Sequence, residues 1–488
     1  MTSRFRLAFV VGCSLTLAGP GCDSFNAGTV EYRANPRVAA DLKDKPQLQG
    51  AITKALADLY GPSPAAIKVP AGSGLREGGR YLANYEDVDG DLKPLTYVSS
   101  QTGEKVQIGG GYGLYRRYCL HCHGVDGGGD GPTAAFLYPR PRDYRPGKFK
   151  FTSVAPSNPK PTRDDLRKTI KYGLHGTSMP AFEALMSGVE VEQVVDYVVF
   201  LSMRGETELA LIDEAKIADK DDPSLLPADT IKELAGNVMN NWKATETLVV
   251  APTARRTPPT RESVLHGRDM FLGFEFIGPN NQKNKTACTD CHGIYAVGNG
   301  TSFIEKALFD KIVFQKGFYG GEKISDEVLD KAIEERFLEV EDEEASLAIK
   351  PGEEHHEDHR ASLDSEKFKE FKARMKTAWN PGSLDDWGNP LRPANLNLGV
   401  YKGGRRPIDL YWRITKGING AKMPAHSNLM TDAQVWDVVN FILALPYEPA
   451  LLADAEALRK KAGLTTPAPA PAAASNAPAG ASVASAPR

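Results

Sequence analysis

The chain has 488 residues, enough for more than one domain with its own buried core. A formal net charge of −3 excludes a general nucleic-acid binder, and no nucleic-acid partner is expected. Of the six cysteines, four lie in two short motifs and two at the N-terminus, which leaves no four-sulfur zinc site and no disulfide framework.

In chain order, Arg4 and Arg6 form a basic start, Leu7 to Leu17 an apolar run, and Ala18 to Gly21 a small-residue end. This pattern predicts an export signal over residues 1–22. Its apolar run falls short of the roughly 20 residues that a membrane-spanning helix needs. Cys22, directly after Gly21, resembles a bacterial lipoprotein cleavage site, although Gly19 and Pro20 depart from that pattern. The expected location is periplasmic or otherwise exported, with lipid at Cys22 as a candidate membrane anchor.

Residues 23–104 form an N-terminal extension. Leu48, Ile52, Leu56 and Leu59 recur at helical spacing, and Gly61-Pro62-Ser63-Pro64 ends that helix before a run of Gly- and Asp-rich turns.

The first coherent unit spans 105–205. It holds Cys119-Leu120-His121-Cys122-His123, and Cys-x-x-Cys-His is the attachment sequence of a c-type haem. The two thiols add to the haem vinyl groups and the histidine reaches the iron. Gly111 and Tyr115 lie eight and four residues ahead, on one helix face: the glycine admits a crossing helix and the aromatic packs beside the porphyrin. Pro132 offers a carbonyl to the second nitrogen of His123. From Arg140 to Lys171 there are ten basic and three acidic residues. Arg140, Arg142 and Arg145 are candidate partners of the haem propionates; the same stretch can be read as a docking face for an acidic partner. Met179-Pro180 then leads into a closing helix.

Residues 206–260 read as a connector, with one helix marked by Ile231, Leu234, Val238 and Trp242 and a linker from Pro252 to Thr260. The second unit, 261–450, repeats the first. Gly267 and Phe271 precede Cys288-Thr289-Asp290-Cys291-His292. A shift of 244 positions superposes Asp165–Leu201 on Asp409–Leu445 with 14 identities in 37 positions, among them Gly173/Gly417, Gly176/Gly420, Met179/Met423 and Pro180/Pro424. The second unit carries an insertion near 303–378. Its residues 321–370 include 18 acidic and 7 basic side chains, with His355-His356-Glu357-Asp358-His359 inside, read as a solvated loop rather than a metal site. The tail is taken as 451–488, and its Ala-, Pro- and Ser-rich part from about 464 cannot form a core and is expected to be disordered.

Haem iron takes two axial ligands. His123 and His292 supply one each, and Met179 and Met423 are the soft donors placed equivalently in both units. His175 and His426 stand near the same loops, but each is replaced in the other copy, by Asn419 and Phe182. Histidine/methionine ligation raises the reduction potential.

Taken together these residues resemble class I c-type cytochromes, in which a Gly/aromatic helix, Cys-x-x-Cys-His, a methionine loop and a closing helix occur in that order. The resemblance implies a mainly α fold: two tandem cytochrome c-like all-helical domains with irregular loops, each packed around one covalent haem c, two in all. Cys119, Cys122, Cys288 and Cys291 would bear the haems. The implied function is single-electron transfer between redox protein partners, not catalysis. The alternatives are a dihaem enzyme, peroxidase-like or thiosulfate-oxidising, and a lipid-anchored cytochrome subunit of a respiratory complex. In the second unit Thr301 stands at the position of Pro132.

Overall fold

The computed structural model describes residues 31–464, apart from 65, 83–84, 89–90, 95, 99–104, 108, 156–157, 159, 304–305, 313–324, 349–362 and 380–383. The leader with Cys22, the tail beyond 464 and the His355–His359 cluster therefore lie outside the described residues. The fold is mainly helical, as expected.

Helices α1 (Pro36–Asp41) and α2 (Pro46–Tyr60) form the extension. Leu48, Ile52 and Leu56 are buried on α2, and Gly61, at φ 91°, ends it. The turn-rich stretch that follows contains two antiparallel hairpins. In the first, β1 (Tyr85–Val88) pairs with β2 (Asp91–Pro94), and in the second β3 (Thr96–Val98) pairs with β4 (Lys105–Gln107).

The first unit is built from α3 (Gly110–Tyr118), α4 (Leu120–His123), α5 (Arg163–Tyr172) and α6 (Gly188–Ile217), with α7 (Ala228–Thr245) packed behind. The boundary expected at 205 falls inside α6. The helix continues because the extension covers its far half: Tyr60 lies edge-on to Phe200 at 5.7 Å, and its hydroxyl bonds the Thr207 hydroxyl at 2.7 Å. The extension is thus part of the first unit's core.

The second unit begins with α8 (Arg261–Phe271) and a short hairpin of β5 (Phe276–Ile277) and β6 (Lys283–Asn284). Next come α9 (Cys288–His292), α10 (Lys306–Asp310), α11 (Asp326–Ala348) and α12 (Glu366–Trp379). It closes with α13 (Pro407–Lys416), α14 (Asp432–Ala444) and α15 (Ala455–Lys461). The insertion is thus helical on both sides of the histidine cluster, where a loop was expected. Its helices close on a small core of their own that includes Phe309, Ile333, Phe337, Phe368 and Phe371.

Each unit rests on one helix crossing, α3 against α6 and α8 against α14. At Gly111 a Cβ would strike the Gln193 carbonyl, and at Gly267 it would strike the Asp437 carbonyl, two positions that are themselves 244 apart. The same N-terminal device starts the matching helices. Asp165 accepts from the backbone of Thr162 at 3.0 Å and Asp409 from that of Arg406 at 3.1 Å, which satisfies N–H groups left free at a helix start. Among the described residues, no single helix is long and apolar enough to cross a membrane.

Candidate functional site

The two Cys-x-x-Cys-His turns are stereochemical copies. Gly124 N donates to Leu120 O and Gly293 N to Thr289 O, both at 2.8 Å; Gly129 N donates to His123 O and Gly298 N to His292 O, both at 2.9 Å. Gly124 and Gly293 leave the turn at φ 78° and 75°, which a side chain rarely adopts. The methionine loops match equally well. Leu174 N donates to Met179 O at 3.1 Å and Ile418 N to Met423 O at 3.2 Å, while Gly173 and Gly417 hold φ 66° and 75°.

All four cysteines are free thiols, and they line one cavity of about 1690 Å³ together with His123, His292, Met179 and Met423. That volume exceeds the roughly 300–1,000 Å³ usual for one drug-sized ligand. The apolar wall repeats at the same offset: Leu166, Ile170, Val194 and Val198 from α5 and α6, then Leu410, Ile414, Val438 and Ile442 from α13 and α14. Tyr115 and Phe271 line it too, where the helix-face argument places them.

The histidine brace differs from expectation. His123 Nδ1 meets the carbonyl of Arg142, at 3.3 Å, rather than that of Pro132. His292 Nδ1 meets the carbonyl of Ala394 at 3.1 Å, so the second unit has the same brace despite Thr301. An Nδ1–H donated in this way leaves the Nε2 lone pair free for a metal and fixes the ring. Burial pushes His123 down to about 4, with the Arg142 carbonyl acting the other way. Burial also lowers His292, and the neighbouring His426 imidazole adds to that fall. Both rings are therefore neutral, the form that ligates metal. Burial raises the thiols, to about 12 at Cys119 and about 11 at Cys288.

The bracing segments correspond residue by residue. Tyr144 N donates to Gly127 O as Leu396 N donates to Ala296 O, which aligns Arg140-Pro141 with Arg392-Pro393. That repeated Arg-Pro pair, 252 positions apart, was the one sequence signal that could have located the brace. Arg140 and Arg142 line the cavity, each with a buried nitrogen that has no hydrogen-bond partner, at Nε and Nη1 respectively. Arg145 does not line it and is held by Asp143 at 2.9 Å and Asp126 at 3.2 Å.

The docking-face reading of 140–171 does not survive. Of its ten basic residues, every one but Arg140 pairs with a carboxylate of the same chain. Three of these pairs cross to the second unit. Asp385 takes Lys150 at 2.7 Å and Arg142 at 3.7 Å, and Asp386 takes Lys148. Between them Trp387 lies 3.5 Å under the Arg142 guanidinium and donates its Nε1–H to the Asp143 carbonyl at 3.1 Å. Acid thus docks on base within the chain, through this turn after α12.

Residues 107–198 match the family described as cytochrome c oxidase, cbb3-type, subunit III, a span that takes in Cys119, Cys122, His123 and Met179. This stretch is a cytochrome c domain. Its family implies covalent haem c, and the cavity suits that group: it offers imidazole and thioether donors, free thiols, an apolar wall and unpaired guanidinium nitrogens. A chain of the reducing HAO-like protein complex of Kuenenia stuttgartiensis aligns at TM-score 0.37 and 20% identity, over 68% of this chain and 93% of its own. No curated protein matches the chain.

Proposed function

We propose that the chain is an exported dihaem c-type cytochrome that passes single electrons between redox proteins. One observation carries the reading. The unit around Cys288 repeats the cytochrome c domain in its attachment turn, histidine brace, methionine loop and apolar wall, and both units open on one cavity.

In this reading Cys119 and Cys122 hold one group, and Cys288 and Cys291 the other. His123 with Met179, and His292 with Met423, are the axial pairs. Covalent haem held by such a pair supplies a one-electron couple whose reduced form is favoured by the thioether. With both axial positions taken by the protein, neither site keeps an open position for a substrate, so electron transfer is favoured over peroxidase-like or thiosulfate-oxidising chemistry. Lining the cavity are nine basic residues, among them Arg140, Arg142, Arg392 and Arg413, against four acidic ones. That excess suits the four propionates of two haems better than the two of one.

The leader supports export and lipid attachment at Cys22. The likeness of the first domain to an oxidase subunit favours a respiratory complex as electron partner. A pyridine haemochrome assay tests the central reading: two covalent haems per chain are expected, and one or none overturns it.

A further inference from the structure

Each cavity wall carries one extra histidine beside its methionine loop: exposed His175 in the first unit, where the second has Asn419, and buried His426 in the second. Three residues after the methionine the first unit has Phe182 and the second has His426. Their backbones coincide: Phe182 N donates to Ile170 O at 3.2 Å and His426 N to Ile414 O at 3.0 Å. Phe182 is an ordinary core residue, 5% exposed and edge-on to Tyr118 at 5.9 Å. His426 is 9% exposed and lines the cavity; its Nδ1 has no hydrogen-bond partner, although the Ile414 and Pro424 carbonyls lie against the ring.

A buried polar nitrogen with no partner costs stability, and phenylalanine would fill the same place without that cost. The ring also shares its surroundings with the candidate metal ligands, since His292, Met423 and His426 line the same cavity. Imidazole is the commonest protein ligand for metals. The loop between Met423 and its helix turns at Gly417 and Gly420, both at positive φ, so Met423 and His426 sit on one short tethered segment.

We propose that His426 is a second axial donor for the haem iron of the second site, able to replace Met423. The inference rests on the dihaem reading. In the exchange His426 lends its Nδ1 lone pair while Met423 withdraws its sulfur, so that one iron–sulfur bond is replaced by one iron–nitrogen bond and no electron or proton is transferred. Histidine in place of methionine lowers the reduction potential, so the second site would have a low- and a high-potential form. The first site has Phe182 at that place, and its own extra histidine, His175, is exposed.

The test compares Met179→Leu with Met423→Leu in the full-length haem-loaded chain, since leucine conserves the volume of methionine. In Met179→Leu the first iron is expected to lose its sixth ligand, turn high-spin and bind carbon monoxide when reduced. In Met423→Leu the second iron is expected to stay low-spin and not to bind carbon monoxide. The double variant Met423→Leu/His426→Phe should bind it as Met179→Leu does. Equal carbon monoxide binding by the two single variants, at two haems per chain, overturns the inference alone. A chain with a single haem, by haemochrome assay on the same samples, overturns the dihaem reading and this inference with it.

Discussion

Two glycines set how closely the paired helices of each unit approach. Gly111 and Gly267 meet a backbone carbonyl of the crossing helix, which cannot turn aside as a flexible side chain can. Four residues on from each glycine, Tyr115 and Phe271 line the cavity, so pushing the helices apart also moves its wall. Gly267→Ala should cost about 1–3 kcal/mol through overpacking, read as a fall in thermal midpoint. Gly50 in α2 is the useful contrast, because nothing lies within 4 Å of a Cβ added there. There Gly50→Ala should gain up to about 1 kcal/mol from helix propensity alone. Polar groups follow a similar all-or-none logic. In the first unit Tyr144 donates to the Tyr115 hydroxyl at 2.6 Å, which donates to the Gly124 carbonyl at 2.7 Å. In the second unit Phe271 and Leu396 stand at those positions, and the whole chain of hydroxyls is replaced by apolar contact.

Among elements, the turn 385–387 acts on both sites. On one side it grips Arg142 and Asp143, next to the carbonyl that orients His123. On the other, Asp386 N donates to Gly420 O at 2.9 Å, and a Cβ on Gly420 would strike the Trp387 ring, so the same turn packs on the Met423 loop. Trp387→Ala removes a guanidinium–ring contact worth about 0.5–2 kcal/mol, together with one hydrogen bond. On the proposed dihaem reading, a freer His123 ring should then shift the midpoint of the first haem in a potentiometric titration, with a smaller shift at the second. The repeat itself is readable from sequence because its loops keep particular residues: the positive φ of Gly173 and Gly417 favours glycine, and Met179-Pro180 recurs as Met423-Pro424. The braces are harder to read, since a backbone carbonyl leaves no mark on residue type and only the repeated Arg140-Pro141 and Arg392-Pro393 point to them; Pro132 carries no such mark. The insertion was misjudged for a related reason. Its acidic composition hid the buried Phe337, Phe368 and Phe371 that close α11 and α12 on one another.

At the scale of the whole molecule the two units behave as one body because charge is buried between them. The Asp385 side chain is 2% exposed and faces two cations from the first unit, Lys150 and Arg142. Burial lowers Lys150 to about 8 and Arg142 to about 10, with Asp385 acting the other way in both, so the carboxylate offsets part of the cost of burying the two charges. Hydrogen bonds without a carboxylate continue the junction, with Lys416 Nζ donating to the Thr152 hydroxyl at 2.9 Å and Asn419 to the Phe149 carbonyl at 2.9 Å. Asp385→Asn keeps the side-chain shape and leaves both cations unpaired. Loss of one partner from a buried ion pair costs about 3–5 kcal/mol, whereas loss of both into apolar packing is often neutral. Asp385→Asn should therefore split the calorimetric unfolding into two transitions, one for each unit. Adding Lys150→Met should recover part of that loss, while Arg142 stays uncompensated. On the proposed dihaem reading the two sites share one cavity only while this junction holds, so the same variant should slow electron exchange between them, measured by reducing one haem with a light pulse and following the other. Unchanged exchange in a variant that melts in two steps would mean that the junction serves stability alone.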